Sequence, residues 1–202
     1  MDNGKPREGQ LCRLVIDGYA SDGAGVARLD GMVVFVQGGI RGEACDVRLT
    51  HVGRSALWGR VEEVVNPSPA RIFPRCLHYT KCGGCQFRRM NYAEELEAKR
   101  IRVEDALRRL GGAEIHVSAI LGAEQVDRYR NKVQFPVSRG KCGLSIGFYR
   151  PRSHDVVDTE DCLLQPEADT ALRLAFKGWM EDFQIPAYDE STGRGLIRHL
   201  YI

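Results

Sequence analysis

Three cysteines lie close together in the segment RCLHYTKCGGCQFRR, which runs from Arg75 to Arg89. Cys76, Cys82 and Cys85 have the spacing Cys-x5-Cys-x2-Cys. Thiolates on one tight loop are typical ligands of zinc or of an iron–sulfur cluster, and either group takes four ligands. The chain has 7 cysteines at uneven spacing in 202 residues, which does not fit a disulfide scaffold. The spacing therefore predicts a metal or cluster site.

The fourth ligand must be one of the other cysteines: Cys12, Cys45, Cys142 or Cys162. Cys45 alternates with Val47, Leu49 and His51 on one face of a predicted strand, so it is expected to face a core. By the same alternation, Cys142 shares the face of Leu144, and Cys12 lies within the first predicted strand. Cys162 follows a predicted strand in the segment VVDTEDCLL, where a loop can return to the cluster. We predict Cys162 as the fourth ligand.

The cysteine spacing favours a [4Fe-4S] cluster over zinc. Zinc sites usually pair two short Cys-x2–4-Cys motifs, whereas this chain has one such motif, a five-residue gap and a distant cysteine. Zinc stays open as the alternative, with His78 as a further possible ligand.

Basic residues concentrate in the middle of the chain. Residues 67–152 hold 17 basic and 8 acidic side chains, a net charge of +9. Residues 1–66 hold 8 basic and 9 acidic side chains, and residues 153–202 hold 4 basic and 10 acidic ones. Because nucleic acids attract clustered Lys and Arg, this distribution predicts a polyanion partner.

The elements that must position these residues change in type along the chain. Residues 9–66 alternate in short runs separated by glycine-rich turns, with a hairpin signal at Asp30 and Gly31. Five such strands predict a small OB-like β-barrel. The proline-rich stretch 67–74 predicts a linker, and residues 75–202 predict a second, α+β domain with an antiparallel sheet.

Two helices are predicted in this second domain. The first follows Asn91, which can cap it with Glu94 as the partner of a capping box. Its apolar residues recur at helical spacing and are expected to face a core: Tyr92, Leu96, Val103, Leu107 and Leu110. The segment PEADTALRLAFKGWMEDF predicts the second helix, and GLIRHLYI predicts a last strand.

Nothing in the composition indicates a membrane protein or a secreted one. No apolar run approaches the length of a membrane span, and the polar start MDNGKPREGQ lacks the apolar centre of a secretory signal. We expect a cytoplasmic location, no membrane partner and a monomer.

Several of these motifs together resemble one enzyme family. FPRCLHYTKCGGCQ, YRNKVQF, IGFYRPRSHDVVDTEDC and GLIRHLYI resemble the RNA uracil-C5 methyltransferases, in particular those of 23S ribosomal RNA. GAGVARLDGMVVFVQGGIRGE and PSPAR look like a TRAM domain, so residues 9–66 would be a TRAM barrel. The resemblance implies a [4Fe-4S] cluster on Cys76, Cys82, Cys85 and Cys162 in residues 75–202.

The resemblance also implies a Rossmann-like domain that binds S-adenosylmethionine and carries the catalytic cysteine. We find no motif for either, so the expected fold class is α+β with that C-terminal domain absent. The chain is then expected to be the RNA-binding, cluster-bearing N-terminal region of an enzyme acting on 23S ribosomal RNA. On this interpretation the chain alone is inactive and contains no catalytic residue.

Six side chains near two neighbouring strands are the candidate RNA contacts. Their charged groups suit phosphates and unstacked bases, with Tyr129 and Tyr149 nearby for stacking. The six residues are Arg128, Arg130, Lys132, Arg150, Arg152 and His154. Two alternatives remain: a zinc-stabilised RNA-binding module without an enzyme, and a stand-alone iron–sulfur electron-transfer protein.

Overall fold

Ten strands and two helices make up residues 5–140 and 143–202, which the computed structural model describes. These residues form two compact units. The first contains the described residues through Phe73 together with Gln86–Gly122. The second contains Pro74–Cys85 and Ala123–Ile202. The units thus divide the chain at other places than the predicted boundaries 9–66, 67–74 and 75–202, which stay a prediction.

The first unit is built on a six-stranded sheet. Its strands are β1 (Leu11–Val15), β2 (Gly18–Tyr19), β3 (Gly25–Leu29), β4 (Met32–Gln37), β5 (Ala44–Val52) and β6 (Ala56–Asn66). They lie in the order β1-β5-β6-β4-β3-β2, antiparallel except for the parallel pair β4 and β6. Asp30 and Gly31 both have positive φ, at 48° and 81°, as the tight hairpin between β3 and β4 requires.

Alternating side chains of this sheet form the first core. Leu14, Val34, Val47 and Leu57 are buried there together with Cys45, whose predicted position in a core is confirmed. Burial, and then the charge of nearby Glu43, raises the pKa of the Cys45 thiol to about 11. Cys45 is therefore a protonated core residue at neutral pH.

Helix α1 (Tyr92–Arg109) also belongs to the first unit. Its predicted cap is confirmed, since Asn91 Oδ1 accepts a hydrogen bond of 2.9 Å from the backbone N–H of Glu94. The Glu94 carboxylate accepts hydrogen bonds from the Tyr19 hydroxyl and the Arg41 guanidinium, at 2.8 and 3.0 Å. These bonds fix the start of α1 to the sheet.

The apolar side of α1 is less buried than the sequence predicts. Val103 and Leu110 are 50% and 88% exposed, and Ala98 is the helix's buried residue. The interpretation of the whole stripe as core is therefore wrong. Helical spacing marks a face, but it does not say how many turns of that face another element covers.

The second unit contains a four-stranded antiparallel sheet and one helix. The strands are β7 (Gln134–Gly140), β8 (Gly143–Tyr149), β9 (Val156–Asp158) and β10 (His199–Tyr201), in the order β10-β7-β8-β9. Helix α2 (Glu167–Asp182) places Met180 in a core with Phe135, Val137 and Ile146. The predicted core position of Cys142 lies outside the described residues.

The predicted fold class is wrong. The described chain is mostly β with two helices, and its first sheet has six strands where the sequence predicts a five-stranded barrel. The additional strand is Gly18–Tyr19, which pairs with Gly25 and Val26. Its two residues lie inside a glycine-rich stretch that the sequence predicts as a turn, because so short a strand has no alternation to detect.

Helix α1 lies in the first unit, whereas the sequence predicts it in the second domain. Its attachment through Glu94 depends on partners far apart in sequence, which local patterns do not reveal. No helix among residues 5–140 and 143–202 has both the length and the apolar character needed to cross a bilayer.

Candidate nucleic-acid interface

The cysteine-bearing segment Pro74–Cys85 belongs to the second unit, as does Cys162. Backbone hydrogen bonds turn the loop tightly: the N–H of Cys82 donates to the carbonyl of His78 at 2.8 Å, and the N–H of Gly83 donates to that of Tyr149 at 2.9 Å. Cys76, Cys82, Cys85 and Cys162 are all half-buried free thiols. The loop is thereby fastened to the end of β8.

The four thiols are close enough to affect one another electrostatically. Burial raises the pKa of Cys82, and negative charge on Cys85, Cys162 and Cys76 raises it further. Burial also raises the pKa of Cys162, which responds to Cys85 and Cys76 in the same way. Cys162, the predicted fourth cysteine, therefore lies near the loop that carries the other three.

No group of three or more His, Cys, Asp or Glu side chains in the described residues is arranged so that it could hold a metal ion. His78, the alternative zinc ligand, accepts a hydrogen bond from the N–H of Glu160 through Nε2. The predicted iron–sulfur domain is thus corrected to a mostly β unit with one helix. The ligand role of the four cysteines remains a prediction.

Arg128 forms internal bonds rather than an open contact surface. Its guanidinium donates two hydrogen bonds of 2.7 Å to the Asp161 carboxylate. It also donates to the carbonyls of Cys162 and Gln165, at 3.1 and 3.0 Å. Hydrogen bonding to Arg128 lowers the pKa of Asp161 and keeps that carboxylate charged. Arg128 therefore positions the loop that carries Cys162.

Four of the predicted RNA contacts are exposed cations of the second unit. They are Arg130, Lys132, Arg150 and Arg152. Arg130 and Lys132 precede β7, whose neighbour β8 ends at Tyr149, just before Arg150. Within the described residues, none of the four side chains forms an ion pair or a hydrogen bond. Their charges are thus available to an anionic partner.

His154, the sixth predicted contact, lies against Tyr149. The two rings are stacked, with 5.2 Å between their centroids. His154 Nδ1 lies 2.5 Å from a carboxylate oxygen of Glu190, which also accepts a hydrogen bond of 3.0 Å from Arg198. Hydrogen bonds from His154, and then from Arg198, lower the pKa of Glu190. His154 therefore already has an anionic partner within the chain.

The acidic partners in this region are not predicted from the sequence. Asp161 fixes Arg128, and Glu190 joins His154 to Arg198. Both acids lie in residues 153–202. The sequence shows that acidic side chains are in excess in this region, but it does not show which of them pairs with which base. Their partners are 33 and 36 residues away along the chain. No local spacing in the sequence could have paired them.

Comparison with known proteins agrees with part of the sequence interpretation. Residues 5–61 match the TRAM domain. An uncharacterized RNA methyltransferase of Clostridium tetani is 40% identical over 189 residues, which cover 94% of this chain and 41% of that protein. One from Bacillus cereus is 36% identical over 188 residues, covering 93% and 41%. The chain thus spans about two-fifths of the length of these curated relatives.

A solved structure shows a similar fold. The Pyrococcus abyssi tRNA (uracil-54, C5)-methyltransferase, in complex with S-adenosyl-L-homocysteine, superimposes with a TM-score of 0.66 and 22% identity. The match covers 94% of this chain and 42% of that one. The arrangement of sheets and helices described above is therefore that of a known methyltransferase structure. Residues 5–61 thus match the TRAM domain, and 94% of the chain is similar in sequence to an RNA methyltransferase.

Proposed function

We propose that this chain binds RNA as part of an S-adenosylmethionine-dependent RNA (uracil-C5) methyltransferase. The observation that carries the proposal is homology to RNA methyltransferases across 94% of the chain. That likeness extends far beyond residues 5–61, the part that matches the TRAM domain. It therefore favours a shared function of the whole chain over a TRAM domain combined with an unrelated partner.

The role proposed for this chain is to hold RNA around a displaced base. A base in a folded RNA must be unstacked before its ring carbon can be methylated, and this costs a few kcal/mol. Contacts to the flanking phosphates offset that cost. The exposed, unpaired cations Arg130, Lys132, Arg150 and Arg152 are suited to such contacts.

The donor and the RNA are further parts of the proposal. S-adenosylmethionine supplies the methyl group when bound. The Pyrococcus abyssi enzyme was solved with S-adenosyl-L-homocysteine, the product of that donor, and its name specifies uracil C5. The RNA predicted from the sequence is 23S ribosomal RNA, and the proposed location is the cytoplasm. Homology to RNA methyltransferases favours neither the zinc-stabilised module nor the electron-transfer protein.

The proposal is tested by the salt dependence of RNA binding. We expect the chain to bind a uridine-containing fragment of 23S ribosomal RNA, with affinity falling as salt rises. In the double variant Arg130→Ala/Lys132→Ala, the slope of log K against log salt should decrease by roughly 1 to 2, since each lost phosphate contact removes about 0.7 to 0.9. The measurement is fluorescence anisotropy over a salt series.

A matched control removes the same charge elsewhere. Arg108 and Arg109 lie on α1 and pair with Asp105. Arg108→Ala/Arg109→Ala should leave the slope close to that of the wild type. Equal slopes in all three proteins would contradict the proposed contacts, and absence of RNA binding would contradict the proposed function. Competition with unlabelled tRNA tests the choice of ribosomal RNA.

A further inference from the structure

A β-bulge on the first sheet changes the direction of one side chain. Leu49 pairs with Gly59, but His51 pairs with Trp58, so Thr50 is an additional residue in β5. An extra residue of this kind reverses the alternation of the strand beyond it. His51 therefore leaves the face of buried Leu49 and lies on the outer face, contrary to its predicted alternation with Cys45, Val47 and Leu49.

This reversal completes a row of three rings on the outer face of the sheet. Val34, Val36 and Leu57 point into the core and are fully buried, so their strand neighbours Phe35 and Trp58 point outward. The ring centroids of Phe35 and Trp58 are 5.8 Å apart, and those of Trp58 and His51 are 5.3 Å apart. We call Phe35, Trp58 and His51 the aromatic row.

Positive charge borders the aromatic row. Arg28 is exposed on β3, two positions from Val26, the residue that pairs with Phe35. Arg54 is exposed in the loop between β5 and β6. Neither arginine forms an ion pair or hydrogen bond with the described residues.

Other charges near the row are already paired. Arg48 and Arg60 share the Glu62 carboxylate, each at 3.1 Å. His51 Nδ1 lies 3.0 Å from an oxygen of Glu8. Arg28 and Arg54 are thus exposed cations near the row that have no partner among the described residues, and their positive charge complements that of a polyanion.

We propose that the aromatic row binds an unpaired segment of RNA, with bases stacked on its rings and phosphates at Arg28 and Arg54. Aromatic rings on a sheet surface can stack any base, and arginines beside them can follow the backbone. The proposal rests on the proposed RNA-binding function. It adds a second contact region on the first unit, for single-stranded rather than duplex RNA.

Tryptophan fluorescence tests the proposal directly. The chain has 2 tryptophans, Trp58 in the row and Trp179 on α2. In the variant Trp179→Phe, emission therefore comes from Trp58. We expect a single-stranded oligouridylate to quench this emission in a saturable way, and a duplex RNA of equal length to quench it far less. In Trp58→Phe, the emission of Trp179 should respond little to the same oligouridylate.

Affinity measurements give an independent readout. Trp58→Leu should weaken oligouridylate binding roughly five- to 150-fold, since one base–aromatic stack contributes about that factor. Trp179→Leu is the matched control and should bind as the wild type does. His51→Ala and Arg28→Ala alter exposed side chains, so they test the row even if Trp58→Leu fails to fold.

The outcomes separate this proposal from the proposed function. If the ribosomal fragment binds but Trp58 emission does not change, the aromatic row is overturned and the proposed function stays intact. The same holds if His51→Ala and Arg28→Ala both bind the fragment with wild-type affinity. Equal quenching by duplex RNA overturns stacking. Trp58 emission that changes with protein concentration, without RNA, assigns the face to a second copy of the chain and overturns the proposal. Absence of any RNA binding overturns both.

Discussion

Arg71 and Glu43 form an ion pair across the first unit, although 28 residues separate them. The guanidinium donates to the two carboxylate oxygens at 2.5 and 2.6 Å, and it also donates to the carbonyl of Gly38 at 2.8 Å. Glu43 is fully buried, and its carboxylate accepts a further hydrogen bond of 2.9 Å from the N–H of Ile40. The pair ties the proline-rich segment to the turn between β4 and β5.

The pH dependence of stability should reveal this pair. Burial by itself raises the pKa of Glu43, but hydrogen bonds from Arg71 and from Ile40 outweigh it and lower the pKa overall. A carboxyl with a lower pKa in the folded state stabilises the fold at pH values above its unfolded pKa, about 4.3. That stabilisation is lost as pH falls through the folded pKa.

Glu43→Gln is the variant that isolates this contribution. At pH 7 it should lower the free energy of unfolding of the first unit by about 3 kcal/mol, because one partner of a buried ion pair is lost. The difference from the wild type should shrink below about pH 4. This difference in free energy of unfolding is measured by urea unfolding in the Trp179→Phe background, with Trp58 emission as the signal. A difference that stays constant between pH 7 and pH 3 would contradict the assignment.

Replacing Arg128 should loosen the Cys162 loop. In Arg128→Ala, the bonds to Asp161 and to the carbonyls of Cys162 and Gln165 are lost, at a cost of about 1–2 kcal/mol because Asp161 is partly exposed. The N–H of Gln165, which donates to the carbonyl of Cys162, should exchange hydrogen faster. Arg128→Lys keeps the charge but not the paired geometry, so it should not restore protection.

The same variant distinguishes a positioning role from an RNA contact. Because the Arg128 guanidinium is already used within the chain, Arg128→Ala should change the salt slope of RNA binding less than Arg130→Ala does. Wild-type hydrogen exchange at Gln165 combined with a reduced salt slope would make Arg128 an RNA contact instead.

Gly147 allows β8 and β9 to approach each other. A Cβ atom at this position would lie 1.9 Å from the carbonyl oxygen of Val157. Gly147→Ala should therefore separate the two strands and cost about 3 kcal/mol or more. Gly140→Ala is the matched control, since a Cβ there meets nothing within 4 Å. Unfolding followed by Trp179 emission in the Trp58→Phe background should show a large loss for the first variant and a small one for the second.

Local patterns predicted the regular elements well. The segment ACDVRLTHV is β5 as a whole, and Asn91 caps α1 as its side-chain chemistry and spacing indicate. These predictions succeed because alternation and capping are determined by residues within a few positions of each other.

The wrong predictions concern side chains whose direction or availability depends on residues far away in the sequence. The bulge at Thr50 reverses the direction of His51, and it is visible in the pairing of β5 with β6 but not in either strand alone. Arg128 has the charge expected of an RNA contact, but its guanidinium already donates hydrogen bonds to Asp161 and to two backbone carbonyls. A single sequence gives the type of each side chain, whereas its availability depends on partners brought together by the fold.

Segments of the two units alternate along the chain, and this order constrains how the polypeptide can fold during translation. The chain leaves the first unit after Phe73, returns at Gln86 and leaves again after Gly122. The sheet made by the opening residues must wait for Glu94 to emerge from the ribosome before Tyr19 and Arg41 find their partner. By then Pro74–Cys85 has also been synthesised, and it waits for Ala123–Ile202. An uninterrupted fragment that contains all of one unit therefore also contains a segment of the other.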